Sequence, residues 1–225
     1  MLFTDHEIHA IRLSLQVSTT ATALFLVPAV AIGVWLARTR SRWRAPVQAI
    51  VMIPLVLPPV ATGLCLLHLL TSLDRSLAFT PTAAILASGV VASPLLIRTV
   101  RAGVEAMDPR LLQVAATLGA SRTRAFITIT TPVCWKAIVG GAVLFWARAM
   151  GEFGAVMVVA GNMPGRTQTI SLAIYSKLQS TTGASIWPLV AVSVAVSLLA
   201  IALSEWLIRD KRATQSHRPA SSPNT

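Results

Sequence analysis

The sequence predicts an all-α membrane protein with five transmembrane helices. Of its 225 residues, 54% are hydrophobic and only 12% are charged, whereas soluble domains average about 25% charged residues. The mean hydropathy is +0.69. Five segments match or approach the length of about 20 apolar residues that a helix needs to cross the hydrocarbon core. This composition excludes a disordered chain, a disulfide-rich secreted module and an ordinary cytosolic enzyme, and it leaves no room for a separate soluble domain.

The five predicted spans differ in the charged residues that they contain. The first three have no Lys, Arg, Asp or Glu, the fourth has Arg148 and Glu152, and the fifth has only Glu205. The spans cover residues 13–37, 47–70, 79–97, 137–160 and 186–208. We therefore expect one membrane domain over residues 1–208, followed by a disordered polar tail over residues 209–225.

Prolines interrupt several of the predicted spans, and three of them lie in the second span. Proline removes a backbone donor and kinks a helix, and membrane helices tolerate this where neighbouring groups or water satisfy the freed backbone. The kinks fit either bent helices in a bundle or hinges beside a translocation path. For the second span we favour hinges, which makes Pro58 and Pro59 candidate path or gate residues.

The distribution of basic residues predicts how the chain is oriented in the membrane. Nineteen Lys and Arg residues against eight Asp and Glu give a net charge of +11, and short cytoplasmic loops are enriched in Lys and Arg. Fourteen of the basic residues lie in the loops at 38–44 and 98–136 or after the fifth span, against four on the other side. We expect five crossings, with the N-terminus outside and the C-terminus in the cytoplasm.

The loop at 108–132 has the pattern of two short helices joined by a tight turn. Asp108 can cap the first helix, Gly119 suits a left-handed helix stop, and Ser121 can cap the second helix. Four residues form one apolar face at helical spacing, namely Leu111, Leu112, Ala115 and Leu118. The loop is therefore predicted to be a compact helical segment, presented to the cytosol for docking.

The same loop resembles the EAA loop of ABC importer permeases. The pattern of that family is Glu-Ala-Ala, three residues, Gly, nine residues and Ile-x-Leu-Pro. The chain keeps this spacing and four of the residues, Ala115, Gly119, Ile129 and Pro132. It departs with Gln113 for Glu, Val114 for Ala and Thr131 for Leu. The resemblance implies that the loop couples the chain to an ATPase through Asp108, Leu111, Leu112, Gln113, Val114, Ala115, Leu118, Gly119, Ser121 and Arg122.

A DNA-binding helix-turn-helix is an alternative interpretation of residues 113–122, because such motifs also turn at a glycine. A recognition helix needs a free polar face to enter the major groove. The second predicted helix instead continues through Phe126, Ile127 and Ile129 toward a membrane span. We therefore expect no nucleic-acid partner.

The fourth predicted span contains a charge pair inside an apolar stretch. On a helix, Arg148 and Glu152 are i, i+4 neighbours that can pair, and ionisable groups at membrane depth usually face a bundle interior or an aqueous path. Two interpretations remain open: an ion pair that positions the helix, or an arginine beside the route of an anion. Gly151 and Gly154 flank the glutamate and would allow a flexible backbone or a close helix approach.

Three motifs in the second half of the chain resemble the molybdate permease subunits of ABC importers. They are Ala-Arg-x-x-Gly-Glu-Phe-Gly-Ala at 147–155, Gly-Asn-x-Pro-Gly-x-Thr-x-Thr at 161–169 and Leu-Ala-Ile-Tyr at 172–175. Permeases for sulfate and thiosulfate share the Gly-Glu-Phe/Tyr-Gly core, and tungstate is a further alternative cargo. The resemblance implies a MetI-like permease fold with a cytoplasmic coupling helix, in the bacterial cytoplasmic membrane. The candidate path or gate residues are then Pro58, Pro59, Arg148, Gly151, Glu152, Gly154 and Asn162.

The resemblance also implies the partners of the chain: a second copy of itself, two cytoplasmic ATPase subunits, an external oxyanion-binding protein and membrane lipid. The sequence has no Gly-x-x-x-x-Gly-Lys-Ser/Thr phosphate loop. We expect no catalytic residue, metal or cofactor in this chain, and ATP and Mg²⁺ on the partner ATPase. Transport would proceed by alternating access. A channel or secondary transporter that works without ATP is an alternative, and it would have no need of a cytosolic docking segment.

Overall fold

The computed structural model describes residues 3–180 and 185–209, and every regular element within these ranges is a helix. Ten α-helices follow one another there: α1 (Asp5–Arg38), α2 (Arg44–Val56), α3 (Pro59–Leu73), α4 (Pro81–Glu105), α5 (Arg110–Thr117), α6 (Arg122–Ala125), α7 (Thr131–Met150), α8 (Gly154–Ala160), α9 (Ile170–Gln179) and α10 (Trp187–Arg209). A 3₁₀ turn, Arg75–Leu77, follows α3, and a π-helical segment, Phe126–Thr130, joins α6 to α7. The predicted tail beyond residue 209 lies outside the described residues.

Four helical stretches are long and apolar enough to cross a membrane: α1, α4, the continuous stretch Thr123–Met150 and α10. Helices α2 and α3 pass the same test together, although they are bent by 113° where they meet. The described residues therefore provide four crossing helices and one bent pair. Single helices, α1, α4 and α10, cover all or nearly all of the predicted spans 13–37, 79–97 and 186–208.

The second predicted span, 47–70, consists of two helices that bend at the prolines where the sequence favours a hinge. Helices α2 and α3 are separated by Leu57 and Pro58, whose backbones are extended with ψ angles of 147° and 133°. A residue that precedes proline avoids the helical region, and both of these residues precede a proline. Neither Pro58 nor Pro59 has an N–H for the helical ladder. The double proline therefore ends the helix, whereas the single Pro54 is accommodated inside α2.

The fourth predicted span, 137–160, is also divided into two helices. Helices α7 and α8 are separated by three residues centred on Glu152. The Glu152 carboxylate accepts a hydrogen bond from the backbone N–H of Ala155 at 3.0 Å. The first N–H groups of a helix have no partner within the helix, and this oxygen accepts a hydrogen bond from one of them at the start of α8. A new helix can therefore begin there. The crossing helix also begins earlier than predicted, at Thr123.

Close packing of α1, α4 and α7 forms the centre of the bundle. Their buried residues include Ala21, Ala92, Leu96, Val100, Phe145 and Ala149. A Cβ atom on Gly33 of α1 would lie 2.9 Å from the carbonyl oxygen of Ile97 in α4, so the two backbones approach closely, as is typical of membrane helices with small residues at a crossing. Helix α2, in contrast, has no buried residue, and most of α10 is exposed. Their apolar faces are therefore open to lipid or to another subunit.

Ion pairs distinguish the two ends of the bundle. At one end, Arg44 at the start of α2 pairs with Glu105 at the end of α4, with 2.6 Å between nitrogen and oxygen. At the opposite end of α1, Glu7 pairs with Lys177 of α9. The two most basic loops therefore share one end of the bundle, and Lys177 lies at the other.

Candidate functional site

The predicted coupling segment, residues 108–121, has a conformation that its own sequence determines. The Asp108 carboxylate accepts a hydrogen bond at 2.8 Å from the backbone N–H two residues ahead. Gly119 has a φ angle of +74°, which glycine adopts without steric cost. The N–H groups of Gly119 and Ala120 each donate at 3.0 Å to carbonyls in the last turn of α5. These two bonds make a Schellman motif, and they confirm the left-handed stop predicted at Gly119. Ser121 caps α6 by accepting a hydrogen bond at 3.2 Å.

The apolar residues of α5 are divided between two faces, not gathered on the single face that the spacing predicts. Ala115 is buried and Leu112 packs against the core around α1. Leu111 and Leu118 are 43% and 81% exposed, and Val114, between them, is 56% exposed. Leu112 and Ala115, one turn apart on the side of α5 that faces the bundle, therefore anchor the short helix. The exposed triplet of Leu111, Val114 and Leu118 forms a separate apolar face, which we call the knob face.

A continuous helical path connects the coupling segment to the bundle. Helix α6, the π-helical segment and α7 run without interruption from Thr123 to Met150, over 28 residues. Arg38, at the end of α1, donates a hydrogen bond to the hydroxyl of Thr130 in the π-helical segment. Unbroken helix therefore joins the end of the coupling segment to the far end of α7. The backbone of Arg122 begins α6, and its side chain lies outside the described part of the chain.

Arg148 and Glu152 form an ion pair, as the i, i+4 spacing predicts. One guanidinium nitrogen of Arg148 lies 2.7 Å from Oε2 of Glu152. That oxygen has no aligned hydrogen-bond donor among the described residues, so the contact is an ion pair without a well-directed N–H. The Glu152 side chain is 1% exposed, against 31% for Arg148. The glutamate therefore serves the local structure through its bond to α8, while the arginine keeps part of its surface accessible.

The breaks in the second and fourth predicted spans lie directly against each other. A Cβ atom on Gly154 would lie 3.0 Å from the Cβ of Pro59. One turn further along α3, a Cβ atom on Gly63 would lie 2.9 Å from the Cα of Ala155. Backbones this close have no room for side chains at either glycine. We call this junction of residues 57–59 with residues 151–154 the double break.

The double break unites most of the predicted gate residues. It contains Pro58, Pro59, Gly151, Glu152 and Gly154, and Arg148 lies one turn before it. Gly151 differs from Gly154, because a Cβ atom on Gly151 would meet nothing closer than 3.8 Å. Sequence reasoning missed Thr62, whose buried hydroxyl, one turn into α3, has no hydrogen-bond partner among the described residues. The sequence indicates this position only through a threonine that stands alone in an apolar segment.

Asn162 lies at the other end of α8 from Glu152 and belongs to a separate polar network. Its amide nitrogen donates to the hydroxyl of Ser176 at 2.8 Å. Its amide oxygen accepts from Gln168 at 2.9 Å. Both ends of the Asn162 amide are therefore used within the chain. The structure does not bring Asn162 to the double break with the other gate candidates.

The chain is similar to inner-membrane components of transport systems. A family model described as "Binding-protein-dependent transport system inner membrane component" matches residues 29–213. The chain is 38% identical to the molybdenum transport system permease protein ModB of Escherichia coli strain K12, over 94% of this chain and 98% of that protein. Identity to ModB of Haemophilus influenzae is 39%, over 89% of this chain and 93% of that protein. The molybdate/tungstate transport system permease protein WtpB of Thermococcus kodakarensis is 33% identical, over 94% and 83% of the two chains.

The fold is similar to that of solved ABC transporters. A chain of the inward-facing MetNI methionine ABC transporter matches with a TM-score of 0.76 at 17% identity, over 90% of this chain and 94% of that one. A bacterial ABC transporter involved in the import of the acidic polysaccharide alginate gives a TM-score of 0.70 at 16% identity, over 95% and 81%. These likenesses confirm the MetI-like permease fold predicted from the sequence.

Proposed function

The chain belongs to the family of binding-protein-dependent transport system inner membrane components, and we propose that it is the permease subunit of an ATP-driven importer for molybdate. Membership makes it a multi-pass protein of the inner membrane and the membrane component of its transport system. Near full-length similarity to permeases named for molybdenum supports the cargo. Similarity to a molybdate/tungstate permease supports tungstate as the second candidate.

The partners that we propose are a second copy of this chain, two cytoplasmic ATPase subunits and an external oxyanion-binding protein. The knob face supports the ATPase contact, because Leu118 is 81% exposed at the tip of a locally rigid turn. ATP and Mg²⁺ belong to the ATPase in this proposal, since the chain has no phosphate-loop motif. The exposed apolar faces of α2 and α10 provide surface for a second copy as well as for lipid.

The orientation that we propose has the basic loops and the coupling segment in the cytoplasm and the N-terminus outside. Two observations support it. Short cytoplasmic loops are enriched in Lys and Arg, and the ion pairs of Arg44 and of Lys177 lie at opposite ends of the bundle.

The double break is the observation that carries the mechanism. ATP-driven motion of the coupling segment would pass along the continuous helix from Thr123 to Met150 and reach the break that follows it. There Gly154 lies against Pro59, so movement of α7 and α8 would shift α3. Two broken spans in contact can change their relative angle without unwinding a helix, as an alternating-access gate requires. Arg148, partly exposed one turn away, has the charge to attract an oxyanion.

Uptake into proteoliposomes tests this proposal. The purified chain is reconstituted with its candidate ATPase, and labelled molybdate uptake is measured with the binding protein present, with and without ATP. We expect uptake that requires ATP, with tungstate competing more strongly than sulfate. Uptake at the same rate without ATP would support a secondary transporter or channel, and ATP-dependent uptake of sulfate in preference to molybdate would change the assigned cargo.

A further inference from the structure

A groove lies between the end of α1 and the coupling segment, at the end of the bundle where the basic loops are. Its volume is about 760 Å³. One wall is the last two turns of α1, from Ala31 to Arg38, and continues to Arg40. The other wall is formed by α5, the turn after it and the start of the next helix, including Leu112, Ala120 and Phe126. The groove is therefore bounded by a membrane-crossing helix on one side and by the coupling segment on the other.

The chemistry of the groove changes along its length. Ala31, Val34 and Trp35 line it along the apolar part of α1, and Arg38 and Arg40 line it where α1 ends. These two ends are about 10 Å apart along α1, at 1.5 Å per residue. Two of the lining residues are arginines and none is acidic. The groove is therefore apolar at one end and cationic at the other.

The arginine end of the groove coincides with the end of the apolar segment of α1. Residues 13–37 contain no charged residue, and Arg38 is the first after them. Trp35, one turn earlier, is 41% exposed, and tryptophan is enriched where membrane meets water. Arg38 and Arg40 are both exposed. Both arginines are therefore accessible from the end of the groove that follows the apolar segment.

We propose that this groove binds one acidic phospholipid, with its phosphate headgroup at Arg38 and Arg40 and an acyl chain along Ala31 and Val34. Basic pockets between helices at the membrane surface suit acidic headgroups. A soluble phosphate or an acidic peptide would satisfy the arginines but would leave the apolar wall along α1 without a partner. The bound lipid contacts α1 and the coupling segment together, so it stabilises their relative position.

Native mass spectrometry of the purified full chain tests the proposal. The protein in mild detergent is titrated with phosphatidylglycerol or with phosphatidylcholine of the same acyl composition, and the retained lipid is counted. We expect selective retention of one phosphatidylglycerol. Arg40→Gln should weaken retention about fivefold, because each basic residue near an acidic surface contributes about 1 kcal/mol. Arg40 is preferred for the substitution, because Arg38 also donates a hydrogen bond to Thr130.

Three outcomes would overturn the proposal. Equal retention of phosphatidylcholine would show that the phosphate charge is not recognised. An equal loss in the control variant Arg75→Gln, at the opposite end of the chain's bundle, would show a general effect of net charge. Displacement of the lipid by inorganic phosphate at the same concentration would assign the site to a free anion.

The location of the lipid is tested by crosslinking. Phosphatidylglycerol with a photoreactive acyl chain is added to the full chain, which is then irradiated and digested. We expect the label on the peptide that contains Ala31, Val34 and Trp35, and less of it in Arg40→Gln. Labelling confined to α2 or α10, whose apolar faces are open to any lipid, would contradict the assigned site.

Discussion

Gly154 of α8 lies so close to Pro59 of α3 that a Cβ atom on the glycine would be 3.0 Å from the proline Cβ. This contact joins two helix breaks that are almost 100 residues apart in the sequence. The two backbones approach so closely here that a continuous helix with side chains would not fit in either position. This explains why both spans are interrupted in the same bundle.

Replacing Gly154 with valine should disrupt the double break. The added side chain would meet Pro59 and the backbone of Val60, and overpacking of this kind costs about 1–3 kcal/mol. We expect a lower melting temperature of the purified chain and a loss of uptake. Gly151→Ala is the control for the steric effect, because that position has open space and the variant should keep the melting temperature. Equal behaviour of the two variants would show that the close contact has no role.

Replacing Gly119 with valine should uncouple the chain from its ATPase. The φ angle of +74° is costly for any L-residue, by about 1–2 kcal/mol, and a β-branched side chain resists it further. We expect the ATPase to co-purify with the native chain and with Gly119→Asn, since asparagine tolerates this conformation, but not with Gly119→Val. Co-purification and normal ATP-driven uptake in Gly119→Val would contradict the coupling role.

Replacing Leu118 with serine should weaken ATPase binding without affecting the stability of the chain. The side chain is 81% exposed at the knob face, so its removal leaves no cavity. We expect a reduced yield of ATPase in co-purification and an unchanged melting temperature. Leu73→Ser is the control, because Leu73 is also exposed, at 73%, at the end of α3. The same loss of ATPase in the control would show that exposed leucines act non-specifically.

The ion pair of Arg148 and Glu152 is tested by a double-mutant cycle with Arg148→Gln, Glu152→Gln and both together. Each single change should lower stability, since it leaves one charge without its partner, and the double change should lower it less than the sum. Coupled buried pairs differ from additivity by about 0.5–3 kcal/mol. The melting temperature of each variant provides this measurement.

Uptake by the native chain and by these three variants distinguishes the two possible roles of Arg148. If the double variant recovers uptake together with stability, the pair serves only the structure. A stable double variant without uptake would place Arg148 beside the route of the anion. We expect the second result, because Arg148 keeps 31% of its side chain exposed while Glu152 is enclosed.

Several features of the fold could be predicted because they depend on neighbours in the chain. The coupling turn forms where Gly119 permits a positive φ angle, and Ser121 caps the helix that follows. Caps and helix stops are local interactions, so a short stretch of sequence contains all the information that they need.

The contact between the two helix breaks, the break inside the fourth span and the two faces of α5 could not be predicted in the same way. Residues 47–70 and 137–160 are apolar throughout most of their length, and apolarity is the same in a continuous helix and in a bent pair. The bond from Ala155 to Glu152 spans only three residues, but the burial of that carboxylate to 1% exposure depends on the packing of other helices around it. Leu112 and Leu111 are neighbours with the same chemistry, and only the packing of α5 on the bundle buries part of Leu112 while it leaves Leu111 exposed.

The sequence by itself determined a membrane-spanning helical chain, its basic loops and a locally encoded coupling turn, because composition and capping act over short distances. The tertiary structure alone decided that Pro59 and Gly154 meet, that Arg148 stays partly accessible while Glu152 is buried, and that Asn162 belongs to another network. The physical reason is steric: which backbones can approach within contact distance depends on small residues in separate helices, and this pairing exists only once the bundle has packed.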